Sequence, residues 1–164
     1  MRFAIEQRLA ADVDAVARAY ADPELYRTFA AAGLQKLRDA DVLSHTLDDD
    51  RVVLEVRFRF GGDLSPAVTA VLDPARLTWV ERSVHDLASH HTTFAMHPDH
   101  YADRFRCAGS YRFEAVDGGT RRIGEGDVKV KALLVAGAVE GAIVSGLKEH
   151  LVDEVPVVEA FVRR

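Results

Sequence analysis

Four histidines lie close together in the middle of the chain and are the first candidates for chemistry. They are His90, His91, His97 and His100. A zinc site needs three or four ligands that converge on one point. On a strand, His91 and His97 would lie about 20 Å apart at about 3.3 Å per residue, and His90 would point to the opposite face. We therefore expect solvated side chains here, with neither a metal site nor a cofactor.

Two carboxylates within apolar stretches are the second group of candidates. Glu81 shares its strand parity with Trp79, and Glu125 lies between two glycines. A carboxyl group inside an apolar pocket has a raised pKa and can serve as an acid or a base. The alternative, which is the commoner arrangement, is that each carboxylate faces water or pairs with an arginine of a neighbouring strand.

Four other side chains could either take part in catalysis or ligand binding or have a purely structural role. His150 precedes Leu151 in an apolar helical pattern, where it either acts as an acid or base or, as we favour, makes a buried hydrogen bond. Tyr111 and Ser83 can orient a polar group of a ligand. Cys107 is expected to be an inert buried thiol. The sequence contains no nucleophile elbow, phosphate-binding loop, dinucleotide fingerprint or zinc signature, so no catalytic set is recognisable.

Composition limits the class of protein. The chain has 164 residues, of which 48% are hydrophobic and 29% charged, and its net charge is −5. This length, without repeats or a linker, predicts a single domain over residues 1–164. Basic residues are scattered, which argues against nucleic acid and against an anionic membrane surface as a main partner. The single cysteine excludes an internal disulfide framework and fits a reducing compartment.

Neither a signal peptide nor a membrane span is expected. Residues 1–9 carry charges at Arg2, Glu6 and Arg8 and contain no apolar run. The most apolar stretch, residues 132–147, is short for a bilayer and contains Glu140. We therefore predict a cytoplasmic protein.

The stretch from Gly137 to Arg163 predicts a long amphipathic helix. Ile143, Leu147, Leu151 and Val155 recur every four residues and form one apolar stripe. Such a helix would be about 40 Å long at about 1.5 Å per residue. Since propensity alone does not stabilise it, a broad apolar surface must cover the stripe.

Alternating apolar residues predict that this surface is a sheet. Asp12 and Asp22 are good N-caps and Pro23 suits a first helical position, so two short helices are predicted after the first strand, and Ser65-Pro66 predicts a third. The fold class is therefore α+β, with a curved antiparallel sheet wrapped around the long C-terminal helix. The predicted strands are Arg2–Leu9, Val42–Leu47, Arg51–Phe60, Leu77–His85, His90–Met96, Asp103–Ala115 and Arg121–Lys131.

Two stretches resemble a known superfamily. Residues 11–16 (ADVDAV) followed by residues 21–26 (ADPELY) resemble the opening of the START-like superfamily, also called SRPBCC or helix-grip proteins. Residues 126–140 (GDVKVKALLVAGAVE) are similar to one bacterial family of unknown function within it. Ala132 and Ala136 stand where that family is expected to have proline and glycine. The resemblance covers essentially the whole chain, but its motifs concern packing and capping and indicate the fold more than an activity.

The resemblance implies a cavity between the sheet and the long helix, which in such proteins commonly takes lipids, sterols, polyketides or plant-hormone-like molecules. We therefore favour a binding protein, a carrier or sensor, whose partner is a small hydrophobic molecule. Glycines at 109, 124 and 126 are modest evidence for space, although a strand glycine often marks close approach. The alternative is that the inward residues simply fill a core. The candidate ligand-binding residues are Phe58, Phe60, Trp79, Phe94, Phe105, Tyr111, Phe113, Ile143, Leu147 and Leu151.

Two other functions remain open, and no oligomeric state or ligand identity follows from the sequence. An interaction module like the chaperone-activating members of the superfamily would use the convex sheet face, with Arg57 and Arg59. An enzyme resembling the superfamily's polyketide cyclases and aromatases would need at least two polar groups inside the cavity. The polar groups to test for that role are Glu81, Glu125, Tyr111 and His150.

Overall fold

Seven strands and four α-helices make up the part of the chain that the structure, a computed structural model, describes: residues 1–34, 37–61, 65–70, 72–131 and 136–164. The elements follow in the order β1 (Arg2–Leu9), α1 (Val13–Tyr20), α2 (Pro23–Ala32), β2 (Leu37–Asp48), β3 (Arg51–Phe60), α3 (Pro66–Thr69), a 3-10 turn (Pro74–Arg76), β4 (Thr78–Asp86), β5 (His91–Pro98), β6 (Phe105–Val116), β7 (Gly119–Val130) and α4 (Ala136–Val162).

The strands form one antiparallel sheet in the order β1-β7-β6-β5-β4-β3-β2. Five of its six pairings join consecutive strands, and the sixth places β1 beside β7, with Phe3 opposite Gly126. The start of the chain therefore forms one edge of the sheet and β2 forms the other. The predicted α+β helix-grip class, with two short helices after the first strand, is confirmed.

Strand β3 shows why the sheet has one dry face. Val52, Leu54, Val56 and Phe58 are buried, whereas the residues between them are half-buried or exposed. This alternation follows from the two-residue repeat of a strand. The antiparallel register then places Glu81 of β4 opposite Val56, which carries this acidic residue onto the inner face.

Helices α1 and α2 begin and end as their capping residues predict. The side chain of Asp12 accepts hydrogen bonds from the backbone N–H groups of Asp14 and Ala15, and Asp22 caps α2 ahead of Pro23. Gly33 ends α2 in the left-handed conformation, with φ of 63°. These caps place the buried face of each helix against the sheet and α4.

Helix α4 spans 27 residues and is continuous through Pro156. It packs against β1, β7, α1 and α2, and its buried side includes Val139, Val144, Leu151 and Val158. No helix in the described part of the chain is long and apolar enough to cross a membrane. The predicted long helix over the inner face of the sheet is therefore present.

The boundary of β2 differs most from its prediction. It runs from Leu37 to Asp48, whereas apolar alternation predicted only Val42–Leu47. Its pairing with β3 is irregular between Leu37 and Asp39 and again between Val42 and Ser44. Each irregularity changes which face the following side chains occupy, so a single two-residue period cannot detect the whole strand.

Two other predictions concern the segments around Ser65 and Ala132. The helix predicted after Ser65 has four residues, and Ser65 makes no side-chain capping bond. Ala132, which stands at the expected proline position, lies outside the described residues, as does the rest of 132–135. Ala136 is the first residue of α4.

Candidate functional site

A cavity of about 240 Å³ lies between the inner face of the sheet, α2 and α4. Most of the side chains predicted to bind a ligand line it, in the described part of the chain. They are Phe58, Phe60, Trp79, Phe105, Tyr111, Ile143, Leu147 and Leu151. The fold therefore gathers residues from three strands of the central sheet and from α4 around one apolar space.

Phe94 and Phe113 lie in the packed core beside the cavity instead. The ring of Phe94 stacks on that of Tyr111, with centroids 5.1 Å apart. Phe113 contacts Tyr20 of α1, with centroids 5.6 Å apart. Both have the inward parity that the sequence predicted, but other side chains fill the space in front of them.

Loop residues form a polar rim at one end of the cavity. Arg76, His100, Tyr101 and Arg104 line it and are exposed or half-buried. The guanidinium of Arg76 lies 5.2 Å from the centroid of the Tyr101 ring, and one of its nitrogens lies 3.4 Å from Nδ1 of His100. Phe105 and Trp79, which follow these loops in the sheet, are the first apolar wall inside the rim.

A buried ion pair occupies the other end. Nη1 of Arg122 lies 2.7 Å from Oε1 of Glu154, and both side chains are more than 90% buried. The guanidinium also lies between the rings of Tyr20 and Tyr111, 3.8 and 3.7 Å from their centroids. It donates to Oε1 of Gln7 at 2.8 Å, and the hydroxyl of Tyr20 donates to Glu154 at 2.7 Å. We call Tyr20, Glu81, Arg122 and Glu154 the polar end of the cavity.

Neighbouring side chains stabilise the protonated, positively charged state of Arg122. Burial by itself lowers the pKa of Arg122, but the neighbouring Tyr20 and Glu154 outweigh it, and the pKa is raised. Burial is also the main reason why the pKa of Tyr20 lies well above its ordinary value. At neutral pH this end of the cavity therefore holds a guanidinium cation next to neutral phenols.

The sequence prediction missed this group, although a signal for it is present. Gln7 shares its strand parity with Phe3 and Leu9, and it pairs directly with Arg122 in the register of β1 and β7. Glu154 lies three residues after Leu151 and four before Val158, on the apolar stripe of α4. Each is a polar residue at a position where the period of its element requires an apolar one.

Glu81 is half-buried in the cavity wall. Burial raises the pKa of its carboxyl group to about 7; the nearby Arg122 lowers it and Glu154 raises it further. Among the described residues, the carboxyl of Glu81 has neither a hydrogen bond nor an ion pair. Near neutral pH this group is present in both protonation states and remains available to a ligand.

Glu125 takes the commoner of the two arrangements expected for it. This residue is exposed and pairs in the sheet with Ala4 and Ser110, on the outer face. The glycines on either side face inward, so the alternation of the strand directs the carboxylate of Glu125 to solvent. It cannot act in the cavity.

Three other candidates are distributed between the cavity and the core. His150 lines the cavity, and its Nε2 lies 3.4 Å from Oε2 of Glu154, while its buried Nδ1 has no partner among the described residues. Cys107 also lines the cavity, and burial raises the pKa of its thiol to about 12, so the thiol stays neutral. Ser83 is buried and contacts Nε2 of His85 at 2.9 Å in a hydrogen-bonded core pair.

The inward glycines make room for rings and not for a ligand. A Cβ atom at position 124 would lie 2.6 Å from the ring of Tyr111, and one at position 126 would lie 2.5 Å from the ring of Phe3. At position 109 a Cβ atom would lie 2.2 Å from the carbonyl oxygen of Glu125. These glycines permit close packing of aromatic residues on the sheet.

One histidine of the cluster and two outer arginines have structural partners. Nε2 of His90 lies 2.6 Å from a carboxylate oxygen of Asp14. Within the described ranges, no three His, Cys, Asp or Glu side chains converge as a metal site would require. Arg57 and Arg59 on the outer face pair with Asp99 at 3.0 Å and with Asp39 at 3.1 Å.

Solved structures with the same architecture are similar to this chain. The protein TTHA0849 from Thermus thermophilus has a TM-score of 0.68 at 16% identity, over 99% of this chain and 97% of that one. The Zhui aromatase/cyclase from Streptomyces sp. R1128 has a TM-score of 0.65 at 16% identity, over 100% and 94%. Norcoclaurine synthase from Thalictrum flavum has a TM-score of 0.62 at 15% identity, over 100% and 87%. At these identities the likeness shows the fold alone, a curved antiparallel sheet wrapped around a long C-terminal helix.

Sequence comparison assigns the family more narrowly. No curated protein matches this sequence. The family model described as "Protein of unknown function (DUF2505)" matches residues 4–162, which is nearly the whole chain. The chain therefore belongs to the DUF2505 family, a family of unknown function.

Proposed function

We propose that this protein binds a small hydrophobic molecule in the cavity between the sheet and α4, as a carrier or sensor. The observation that carries this proposal is the cavity itself, an apolar space of about 240 Å³ inside a domain whose other inward aromatic rings are closely packed. Ligand pockets usually measure about 300–1,000 Å³, so a compact ligand suits this one.

The free energy of leaving such a space empty supports the same conclusion. Without a ligand, the apolar walls of the cavity are in contact with water, which is unfavourable roughly in proportion to their area. A ligand that fills the cavity would recover part of this free energy, whereas a purely structural core would have closed over it.

Native mass spectrometry of the freshly purified protein tests this proposal. We expect a co-purifying apolar molecule of defined mass, which denaturing extraction releases for identification. An apolar dye should also compete with it and quench Trp79, the only tryptophan of the chain, because this residue lies in the cavity wall. A protein that is bare in the mass spectrum and does not bind the dye would contradict the proposal.

An enzyme of the cyclase/aromatase type, acting on a ligand in the same cavity, is the second candidate. The observation in its favour is Glu81, whose pKa of about 7 suits a general acid or base. With a substrate in hand, Glu81→Gln should lower kcat by about 10²–10⁴-fold, whereas Glu125→Gln on the outer face should not. An unchanged kcat in Glu81→Gln would show that Glu81 is not the acid or base and would remove the observation in favour of this candidate.

A further inference from the structure

We propose that the ligand is an uncharged molecule whose carbonyl or hydroxyl oxygen accepts a hydrogen bond from the carboxyl group of Glu81. This inference rests on the proposed function, since it requires a ligand in the cavity. It adds the chemical class of that ligand and the residue that recognises it.

The position of Glu81 is the first part of the argument. Its neighbours across the sheet are Val56 and Met96, and Met96 in turn pairs with Cys107. Within the sheet, apolar side chains and a neutral thiol therefore flank the carboxyl group, and none of them neutralises it. A polar group left unpaired in such surroundings costs about 1–3 kcal/mol, which a ligand with a matching group would recover.

The charges of the neighbouring side chains are the second part. Arg122 is the cation that lowers the pKa of Glu81. Its guanidinium is already paired with Glu154 at 2.7 Å and lies between two aromatic rings. A ligand anion would therefore approach the carboxylates of Glu154 and Glu81 without a free counter-ion. A ligand ammonium would lose its hydration beside the guanidinium of Arg122. An uncharged oxygen avoids both repulsions and the several kcal/mol that burial of an ion costs.

Unsatisfied donors in the same wall are an independent indication. In the described part of the chain, Nε1 of Trp79 and Nε of Arg122 are buried without hydrogen-bond partners. Both nitrogens can only donate. Nδ1 of His150 in the same wall is also buried without a partner and can donate or accept. Since two of these three nitrogens can only donate, and the carboxyl group of Glu81 donates when protonated, the wall favours a ligand that carries acceptor oxygens.

Binding of this kind couples affinity to pH. The ligand needs the protonated carboxyl, whose population falls tenfold for each pH unit well above a pKa of about 7. Burial keeps the phenols and the thiol near Glu81 neutral through this range. The titratable groups that face Glu81 are Tyr26 from α2, Tyr111 and Cys107 from β6, Arg122 from β7, and Glu154 and His150 from α4.

Three probes that share one naphthalene skeleton test the inference: 2-acetonaphthone, 2-naphthylmethylamine and 2-naphthoate. Quenching of Trp79 reports their dissociation constants from pH 6 to pH 8.5. We expect the ketone to bind at least tenfold more tightly than the amine or the carboxylate at pH 6. Its affinity should then fall towards tenfold per pH unit above pH 7.

Variants assign the pH dependence to one group. In Glu81→Gln, whose amide still donates, the ketone should bind with nearly constant affinity across the range. Glu125→Gln, an outward-facing change on β7, should behave as the wild type.

Four results would overturn the inference: tighter binding of the amine, a flat pH profile in the wild type, an unchanged profile in Glu81→Gln, or binding of an apolar dye without any of the three probes. The last result would leave a hydrophobic cavity and so preserve the proposed function. If the dye does not bind either and the protein is bare in native mass spectrometry, the proposed function fails, and this inference fails with it.

Discussion

Arg122 shows how the core of this protein accommodates a buried charge. Its guanidinium has a carboxylate partner in Glu154, an amide partner in Gln7 and two aromatic faces from Tyr20 and Tyr111. Each contact replaces part of the hydration that burial removes. The pair joins β7 to α4, so its removal should affect stability and not only the polarity of the cavity.

Replacement of Arg122 by methionine is therefore expected to destabilise the protein by about 3–5 kcal/mol, because Glu154 is left as a buried charge without its partner. The double variant Arg122→Met/Glu154→Met should be less destabilised than the sum of the two single variants. Urea unfolding measures all three. Arg121→Met is the control, since this neighbour is partly exposed and should cost no more than about 1 kcal/mol. Strict additivity would show that the ion pair does not couple the two residues.

The raised pKa of Glu81 predicts a pH dependence of stability. The carboxyl has a pKa of about 7 in the folded protein and 4.5 ordinarily. Between these values the folded state binds more protons than the unfolded state, so stability falls as the pH rises. Glu81→Gln lacks this contribution.

Glu81→Gln should therefore gain stability over the wild type as the pH rises, from no pH-linked gain near pH 4 to about 1–3 kcal/mol at pH 8. Urea unfolding of both proteins at pH 4.5, 6 and 8 measures the gain. Glu125→Gln should show no such trend. A difference between Glu81→Gln and the wild type that does not change with pH would mean that the carboxyl of Glu81 titrates normally.

Among the helices and strands, α4 has one face that packs in the core and another that borders the cavity. Val144, Leu151 and Val158 are buried, whereas Gly146 lines the cavity, and a Cβ atom there would meet no atom of the described residues within 4 Å. Gly141 on the same helix has equally open surroundings but is not part of the cavity wall. The helix therefore offers a matched pair of positions, one inside the cavity and one outside it.

A bulky side chain at Gly146 should close the cavity without unfolding the protein. We expect Gly146→Phe to reduce quenching of Trp79 by an apolar dye at least tenfold, while Gly141→Phe binds as the wild type does. Stability should hold or rise in both variants, because glycine costs up to about 1 kcal/mol within a helix. Equal dye binding by the two variants would show that the dye binds outside the cavity.

At the scale of the whole molecule, the two halves of the chain are joined by long-range contacts. Strand β1 pairs with β7 along its whole length, and α4 contacts β1, α1 and α2. Neither the sheet edge nor the cavity can form from one half alone. These contacts predict a single cooperative unit over residues 1–164.

Equilibrium unfolding followed by two spectroscopic signals tests whether the chain unfolds as a single cooperative unit. Fluorescence of Trp79 reports the cavity wall, and far-ultraviolet circular dichroism reports mainly the helices. We expect the two urea transitions to coincide, as they do for a two-state domain. A helical signal that is lost before the fluorescence changes would show that α4 unfolds on its own and that the chain contains more than one unit.

The sequence by itself determined the elements whose signals are local. The caps at Asp12 and Asp22, the strict alternation of Arg51–Phe60 and the four-residue recurrence of Ile143 to Val155 all predicted elements that the structure contains. Hydrogen bonds within a few residues and the period of an element produce such signals, so they can be detected without the rest of the chain. The irregular β2 could not be bounded in this way, because its pairing with β3 alters its period.

Which inward residues meet an open space depends on the tertiary packing and could not be predicted from parity. Phe105 and Phe113 share the parity of β6, yet Phe105 lines the cavity and Phe113 packs against α1. The pairing of Arg122 with Glu154 and the raised pKa of Glu81 likewise depend on helices and strands that are distant in the chain. Parity assigns a side chain to a face of its element. What that face contacts, and how much water remains there, depends on the packing of all the elements together.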